Sequence, residues 1–412
     1  MKKLVLIVGV FVLLFSCKED KAAKENQEIL KDGKWLVELQ VMDHQKLPFN
    51  LSINREPDDS YTADIYNAEE LIHTDEITIS GNSVAIKFPV FEGYLQGTFE
   101  GDTIKGNFIK ESLDRVVPFM ATFGKTDRFV VNTDSKASMS GVWETKFSPD
   151  TEDFYLGKGI FLQKNNKVHG TFRTTTGDYR YLDGVLDGDS LKLSAFDGAH
   201  AFLFTAKVSD STLNGTFYSG NHFKEPFTAV RNEVFELPDE DSLTYLKEGY
   251  DEFSFSFPDE EGNIVSLSDA KFRNKAVLVQ IMGTWCPNCL DETKFLVDFV
   301  KNNQDLELEV VALSFEYAKT EEDAFKAIKR LKERVGIDYP VLLAQYGTAD
   351  KEEAQKKLPM LNHVLSYPTT LFIDKQGVVR KIKTGFNGPA TGEKYTAFKA
   401  EFTQLVKGLA QE

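Results

Sequence analysis

The sequence predicts a multidomain chain in which a duplicated, antiparallel all-β region precedes an α/β unit. Three observations carry this reading. Short alternating runs fill residues 33–232 and repeat at a near-constant interval. No helical periodicity of useful length precedes about residue 240. Beyond residue 250, continuous apolar runs alternate with amphipathic stretches, as in a parallel sheet covered by helices. At 412 residues the chain has room for roughly two to four domains. Its 33 Phe and 13 Pro favour strand-rich packing. A net charge of −16 argues against nucleic-acid binding, which needs a basic face. Three cysteines, Cys17, Cys286 and Cys289, are too few for a disulfide-stapled scaffold.

The first element is a targeting signal over residues 1–16. Lys2 and Lys3 precede an almost wholly apolar run, Leu4 to Phe15, too short for the roughly 20 residues of a membrane span. Leu14-Phe15-Ser16-Cys17 resembles a bacterial lipobox, which implies cleavage before Cys17 and a lipid on its sulfur. Phe15 is bulkier than the usual residue there. Lys18-Glu19-Asp20 resembles the surface-export signal of Bacteroidetes lipoproteins. Cleavage makes the chain two charges more negative, so the lipid and not the protein surface is expected to hold it at the bilayer. Residues 17–32, charged and poor in apolar side chains, read as a tether.

The β-rich region divides into copies at 33–126 and 139–232. Gly33-Lys34-Trp35 returns as Gly141-Val142-Trp143, Gly81-Asn82-Ser83 as Gly188-Asp189-Ser190, and Pro118-Phe119 as Pro226-Phe227, each about 108 residues on. Asp102-Thr103-Ile104-Lys105-Gly106-Asn107-Phe108 matches Ser211-Thr212-Leu213-Asn214-Gly215-Thr216-Phe217 at the same interval. Each copy holds seven or eight candidate strands, enough for a small barrel, sandwich or meander. The copies contain no cysteine, and no two of their histidines stand at ligand spacing, so no metal site is expected. They read as structural or docking modules.

An acidic linker, residues 233–249, leads to the α/β unit at 250–412. Ala276 to Met282 is a buried strand, broken only by Gln280. Gly283-Thr284-Trp285-Cys286-Pro287-Asn288-Cys289 follows and opens a helix reaching about Asn302. Leu308–Ser314 is a second buried strand. Phe325, Ile328, Leu331 and Val335 share a face of the helix 320–335. A short strand at 339–343, the segment Ser366-Tyr367-Pro368-Thr369 with its strand, a hairpin partner at 378–383, and a closing helix carrying Phe398, Phe402, Leu405 and Leu409 complete the unit. C-x-x-C alone could be half of a zinc site, but a second ligand pair is missing. Its position after a buried strand sets Cys286 at a helix N-terminus, where N–H groups and the helix dipole stabilise a thiolate.

Residues 250–412 resemble the thioredoxin fold, and in particular the TlpA-like, membrane-tethered thiol–disulfide oxidoreductases. The Trp285-Cys286-Pro287-Asn288-Cys289 motif, Glu292 and Tyr367-Pro368-Thr369 carry the resemblance. It implies that Cys286 attacks the substrate disulfide and that Cys289 resolves the mixed disulfide, closing a Cys286–Cys289 bridge. It implies a cis Pro368 facing the cysteines, and a substrate groove of Trp285, Pro287, Asn288, Tyr367, Pro368 and Thr369. Glu292, one turn beyond Cys289, is placed to relay a thiol proton. Gln280 stands where typical thioredoxins have an Asp, so a buried proton acceptor must come from elsewhere. The stretch 345–364 is long enough for an added helix or lid.

The implied activity is that of a lipid-anchored enzyme reducing protein disulfides in the cell envelope, on the periplasmic side or the outer-membrane surface. Its partners are disulfide-bearing proteins, a membrane electron donor and, through Cys17, the bilayer; no cofactor or metal is implied. Two other readings stand beside it. A surface or periplasmic binding lipoprotein would use the tandem β-modules as its working part. A peroxiredoxin-like peroxidase would need a Pro-x-x-x-Thr-x-x-Cys loop, but Gly283 occupies the threonine position.

Overall fold

The computed structural model describes residues 28–135 and 137–411; the signal segment 1–16, Cys17 and most of the tether lie outside the described residues. Two all-β antiparallel units precede a thioredoxin-like α/β unit. Each β-unit has nine strands, against the seven or eight read from the pattern. In the second unit the surplus is Gly177–Asp178, whose two residues carry no period of their own.

In both units most strands pair with their sequence neighbours, and the first strand closes on the last. Gly33–Gln40 pairs with Arg115–Phe123, and Gly141–Phe147 with Phe223–Arg231. In the second module Tyr155–Lys164 also pairs with Lys167–Thr174, completing a closed ring with no free edge there. In the first the ladder stops between Glu70–Thr74 and Glu76–Ser80, leaving a barrel-like sheet.

The repeated tryptophans do the same work in each copy. Trp35 and Trp143 are fully buried, and each indole N–H donates to the carbonyl four residues upstream, Lys31 at 3.2 Å and Met139 at 2.9 Å. Aromatic rings fill the second barrel: Phe147, Phe172, Phe204, Phe217 and Phe227 pack on one another, and Tyr179 stacks among them. The modules are joined by side chains. Phe196 of the second copy enters the core of the first, stacked on Phe49 at 4.2 Å, and Asn67 brackets its backbone with two hydrogen bonds.

The α/β unit has a five-stranded sheet in the order Val341–Gln345, Leu308–Phe315, Ala276–Met282, Thr369–Ile373, Val379–Thr384. The first three are parallel and the last two antiparallel to the centre. All of Ala276–Met282 is buried, which explains its unbroken apolar run. Helices α1 (Pro287–Asn302), α2 (Glu321–Val335), α3 (Lys351–Lys357) and α4 (Glu393–Gln411) complete it. Helix α2 starts on a Thr320 cap and ends at Gly336 in the left-handed region, so both ends have local causes. Helix α4 buries Val406 beside Phe398, Phe402 and Leu409, while Leu405 is only partly covered. Helix α3 lies within the long stretch before Pro368. No described helix is long and apolar enough to cross a membrane. Segment 233–249 is docked: Glu240 is buried and accepts from Lys383 at 2.5 Å, and Thr384 donates to Thr244 at 2.7 Å.

Candidate active site

The site forms where the central strand ends and α1 begins. Gly283 and Thr284 turn the chain, and Cys286 becomes the N-cap of α1 with Pro287 at its first position. The Cys286 sulfur accepts the Cys289 N–H at 3.2 Å. Cys286 and Cys289 are joined as a disulfide with Cα atoms 5.2 Å apart. Cys286 keeps 6% of its surface exposed and Cys289 none.

The Tyr367–Pro368 peptide is cis, and the Tyr367 carbonyl oxygen lies 3.4 Å from the Cys286 sulfur. Thr369 is buried and braces this loop by donating to the Ser366 carbonyl at 2.9 Å. Trp285 donates its indole N–H to the Phe315 carbonyl at 2.9 Å, and its ring meets Tyr317 at 4.5 Å and Tyr367 at 5.6 Å. The exposed side of the disulfide thus has an aromatic wall.

Behind the disulfide sits Glu292, 1% exposed. Its carboxylate accepts from Gln280 Nε2 at 2.8 Å and from Thr370 Oγ1 at 2.9 Å. Gln280 also reaches the Cys289 carbonyl at 3.5 Å and accepts from Thr293 at 3.1 Å. Burial pushes the Glu292 carboxyl up to about 7, against the opposing pull of those two hydrogen bonds. The group can therefore hold or release a proton near neutral pH. Gln280, at the position where an Asp is common, serves as the link between Glu292 and the backbone of Cys289.

Two features were not read from the sequence. The first is Glu316, 2% exposed, which accepts from the Thr284 N–H at 2.9 Å, the Thr284 hydroxyl at 2.7 Å and the Ser314 hydroxyl. It fixes the turn just before Trp285, and burial raises its carboxyl. The second is the turn Thr174–Arg180 of the second β-module. Asn288 donates to the Asp178 carbonyl at 3.3 Å and Ser366 to the Thr176 carbonyl at 2.9 Å. The Gly388 N–H donates to the Asp178 carboxylate at 2.6 Å, and Gly177 bridges to Phe386. The turn thus covers the dithiol on the side of Asn288 and Ser366. Beside it Arg180, buried, pairs with Glu70 of the first module, Asp197 of the second and Asp291 of α1. These partners lie far apart in sequence, and only a divergence between the two copies at this point could have flagged the turn.

Among the predicted residues, then, Cys286, Cys289, Trp285, Pro287, Tyr367 and Pro368 gather around the disulfide. Glu292 lies behind it, and Asn288 faces the β-module. Among the described residues no cluster of three or more His, Cys, Asp or Glu is placed to hold a metal ion.

The AhpC/TSA family model matches residues 250–382. The thioredoxin-like protein YneN of Bacillus subtilis is 31% identical over 141 residues, covering 34% of this chain and 73% of that protein. The thiol-disulfide oxidoreductase ResA of the same organism is 27% identical over 140 residues, 34% of this chain and 69% of that one. The chain belongs to the thioredoxin-like thiol–disulfide oxidoreductases. The thiol:disulfide interchange protein DsbE of Pseudomonas aeruginosa is 30% identical to this oxidoreductase over 127 residues, 31% of this chain and 61% of that one. All three relationships concern about a third of the chain. A solved thiol-disulfide oxidoreductase from Bacteroides fragilis is 22% identical at a TM-score of 0.27, over 36% of this chain and 99% of that one. In this oxidoreductase the two β-modules therefore frame a site that the family relationship explains only from one side.

Proposed function

We propose that this oxidoreductase is a lipid-anchored enzyme that reduces protein disulfides in the cell envelope. In the reduced enzyme the Cys286 thiolate attacks one sulfur of a substrate disulfide. That S–S bond breaks, a mixed disulfide forms, and the leaving thiolate takes a proton. The Cys289 thiol then gives its proton to the Glu292 carboxylate and attacks the Cys286 sulfur. The second substrate thiol leaves, and the Cys286–Cys289 disulfide closes. Two electrons have passed from the dithiol to the substrate, and a membrane electron donor restores them. Trp285, Pro287, Tyr367 and Pro368 border this exchange, while Asn288 is taken up by the β-module turn and Thr369 is buried beneath the loop. The anchor is a lipid on Cys17, and the location is the periplasmic side or the outer-membrane surface. These last points rest on the lipobox-like sequence.

The observation that supports this reading is the disulfide at the N-cap of α1, set against the Tyr367 carbonyl and backed by a carboxyl held near 7. Cys286→Ser is expected to abolish dithiol activity. Cys289→Ser is expected to accumulate substrates as mixed disulfides on Cys286, visible on non-reducing gels. Equilibration in thiol–disulfide buffers tests direction: roughly −270 mV fits a reductant, while a value towards roughly −120 mV reverses the assignment.

A further inference from the structure

A pocket of about 180 Å³ lies where the two β-modules meet the thioredoxin-like unit. Lys110 and Arg115 enter it from the last hairpin of the first module, His200 and His222 from the second, and Trp285 and Tyr317 form its inner wall. No acidic residue lines it. Lys110 is 8% exposed and is steered by a hydrogen bond to the Ala199 carbonyl at 3.1 Å. Arg115 is half-buried and makes no ion pair with any described residue within 4.0 Å. The nearest carboxylates are engaged elsewhere. Glu92 accepts from the Ser112 N–H and hydroxyl, and Asp197 from His200, Arg180 and the backbone of its own turn. Burial, with Arg115 and Lys110 nearby, pushes His222 down to about 4, so near neutral pH it is an uncharged hydrogen-bonding group. The pocket thus offers two basic side chains with no carboxylate paired at their tips, both held below their usual pKa by burial, in a partly dry setting where a charge-assisted bond is strong.

Its position ties it to the reaction. Trp285 is the residue before Cys286, and its ring leans on Tyr367, whose carbonyl touches the Cys286 sulfur. The turn Thr174–Arg180 closes the site against Asn288 and Ser366. A substrate chain that reaches Cys286 over Trp285 would lay its next side chains over the pocket, which Trp285 also lines.

We infer that this pocket is a specificity site, in which Lys110 and Arg115 bind the carboxylate of an acidic side chain flanking the cysteine of a substrate disulfide. The inference rests on the oxidoreductase reading above and deepens it by naming the substrate class. The test uses the reduced full-length enzyme in single turnovers, so no electron donor is needed. Three disulfide-linked peptides are compared that are identical except for Glu, Gln or Lys beside the cysteine. The wild type is expected to reduce the Glu peptide roughly tenfold faster than the Gln peptide, the worth of one charge-assisted bond, with Lys slowest. Arg115→Gln is expected to bring the Glu-to-Gln ratio close to one, and Arg115→Glu to favour the Lys peptide. Raising the salt concentration is expected to shrink the wild-type ratio without any variant. Equal rates for all three peptides, or a Glu preference that survives in Arg115→Gln, would overturn the inference while leaving the oxidoreductase reading intact. Failure to reduce any of the three, or a neutral small disulfide, would instead count against the oxidoreductase reading itself.

Discussion

Glu292 meets two neutral donors, Gln280 and Thr370, and almost no water, so its ionised form is disfavoured and its proton is held up to about 7. The sign of the effect on stability follows. From the ordinary carboxyl value of 4.5 up to about 7 the folded chain binds this proton and the unfolded chain does not. Stability must therefore fall as pH rises through that window, by about 3 kcal/mol from this group alone. Denaturant unfolding at pH 5 and pH 8 should show the fall in the wild type and a flatter profile in Glu292→Gln; equal slopes would mean the carboxyl is not so held. On the proposed role of Glu292 as acceptor of the Cys289 proton, the same substitution should slow disulfide reduction roughly a hundredfold and remove its limb near pH 7. This residue was legible because its spacing from Cys289 is local. Glu316 was not: it sits at the end of an apolar strand, and its main partner, Thr284, is 32 residues away.

At the scale of elements, the repeat and the period change marked out the strands well because both are short-range signals. Trp35 and Trp143, matched by sequence alone, make the same hydrogen bond to the fourth residue upstream. What did not follow from pattern is how a β-turn is used. Thr174–Arg180 reads as an ordinary polar turn, yet it is wedged against α1 and the Pro368 loop. Gly177 shows why its residues are specific. Its φ is +146°, and an added Cβ would sit 2.2 Å from Asn288 Nδ2 and 3.2 Å from the Phe386 carbonyl oxygen. Gly177→Ala should cost about 1–3 kcal/mol through strain and the lost Asn288 contact. A lowered denaturation midpoint together with faster cleavage of this turn by protease is the expected result. An unchanged midpoint would show that the turn is seated more loosely than its contacts indicate.

For the molecule as a whole, the question is whether three units behave as one. Pattern reading treats each domain separately and cannot see contacts between them, since these depend on single charged residues whose partners are remote. Arg180 is the clearest case: one guanidinium in the second module satisfies Glu70 in the first and Asp291 on the catalytic helix. On the other side, Arg330 and Arg334 of α2 grip Glu76 of the first module, and Lys319 pairs with Asp114. The second set is more exposed and each pair contributes little alone. The Arg180 cluster is buried, so removing its cation leaves Glu70 and Asp291 without a cationic partner, while Asp197 keeps His200 and the N–H groups of its own turn, a loss of about 3–5 kcal/mol. Calorimetry of the wild type should then show a single unfolding transition, because the units share Phe196, the Arg180 cluster and the docked segment 233–249. Arg180→Met should split it, with a β-module unfolding below the thioredoxin-like unit and the Cys286–Cys289 disulfide becoming more accessible to small reductants as the Thr174–Arg180 turn lifts away. Two transitions already present in the wild type would mean that the modules are tethered to the catalytic unit rather than built into it. The walls of the active site they supply would then be present for only part of the time.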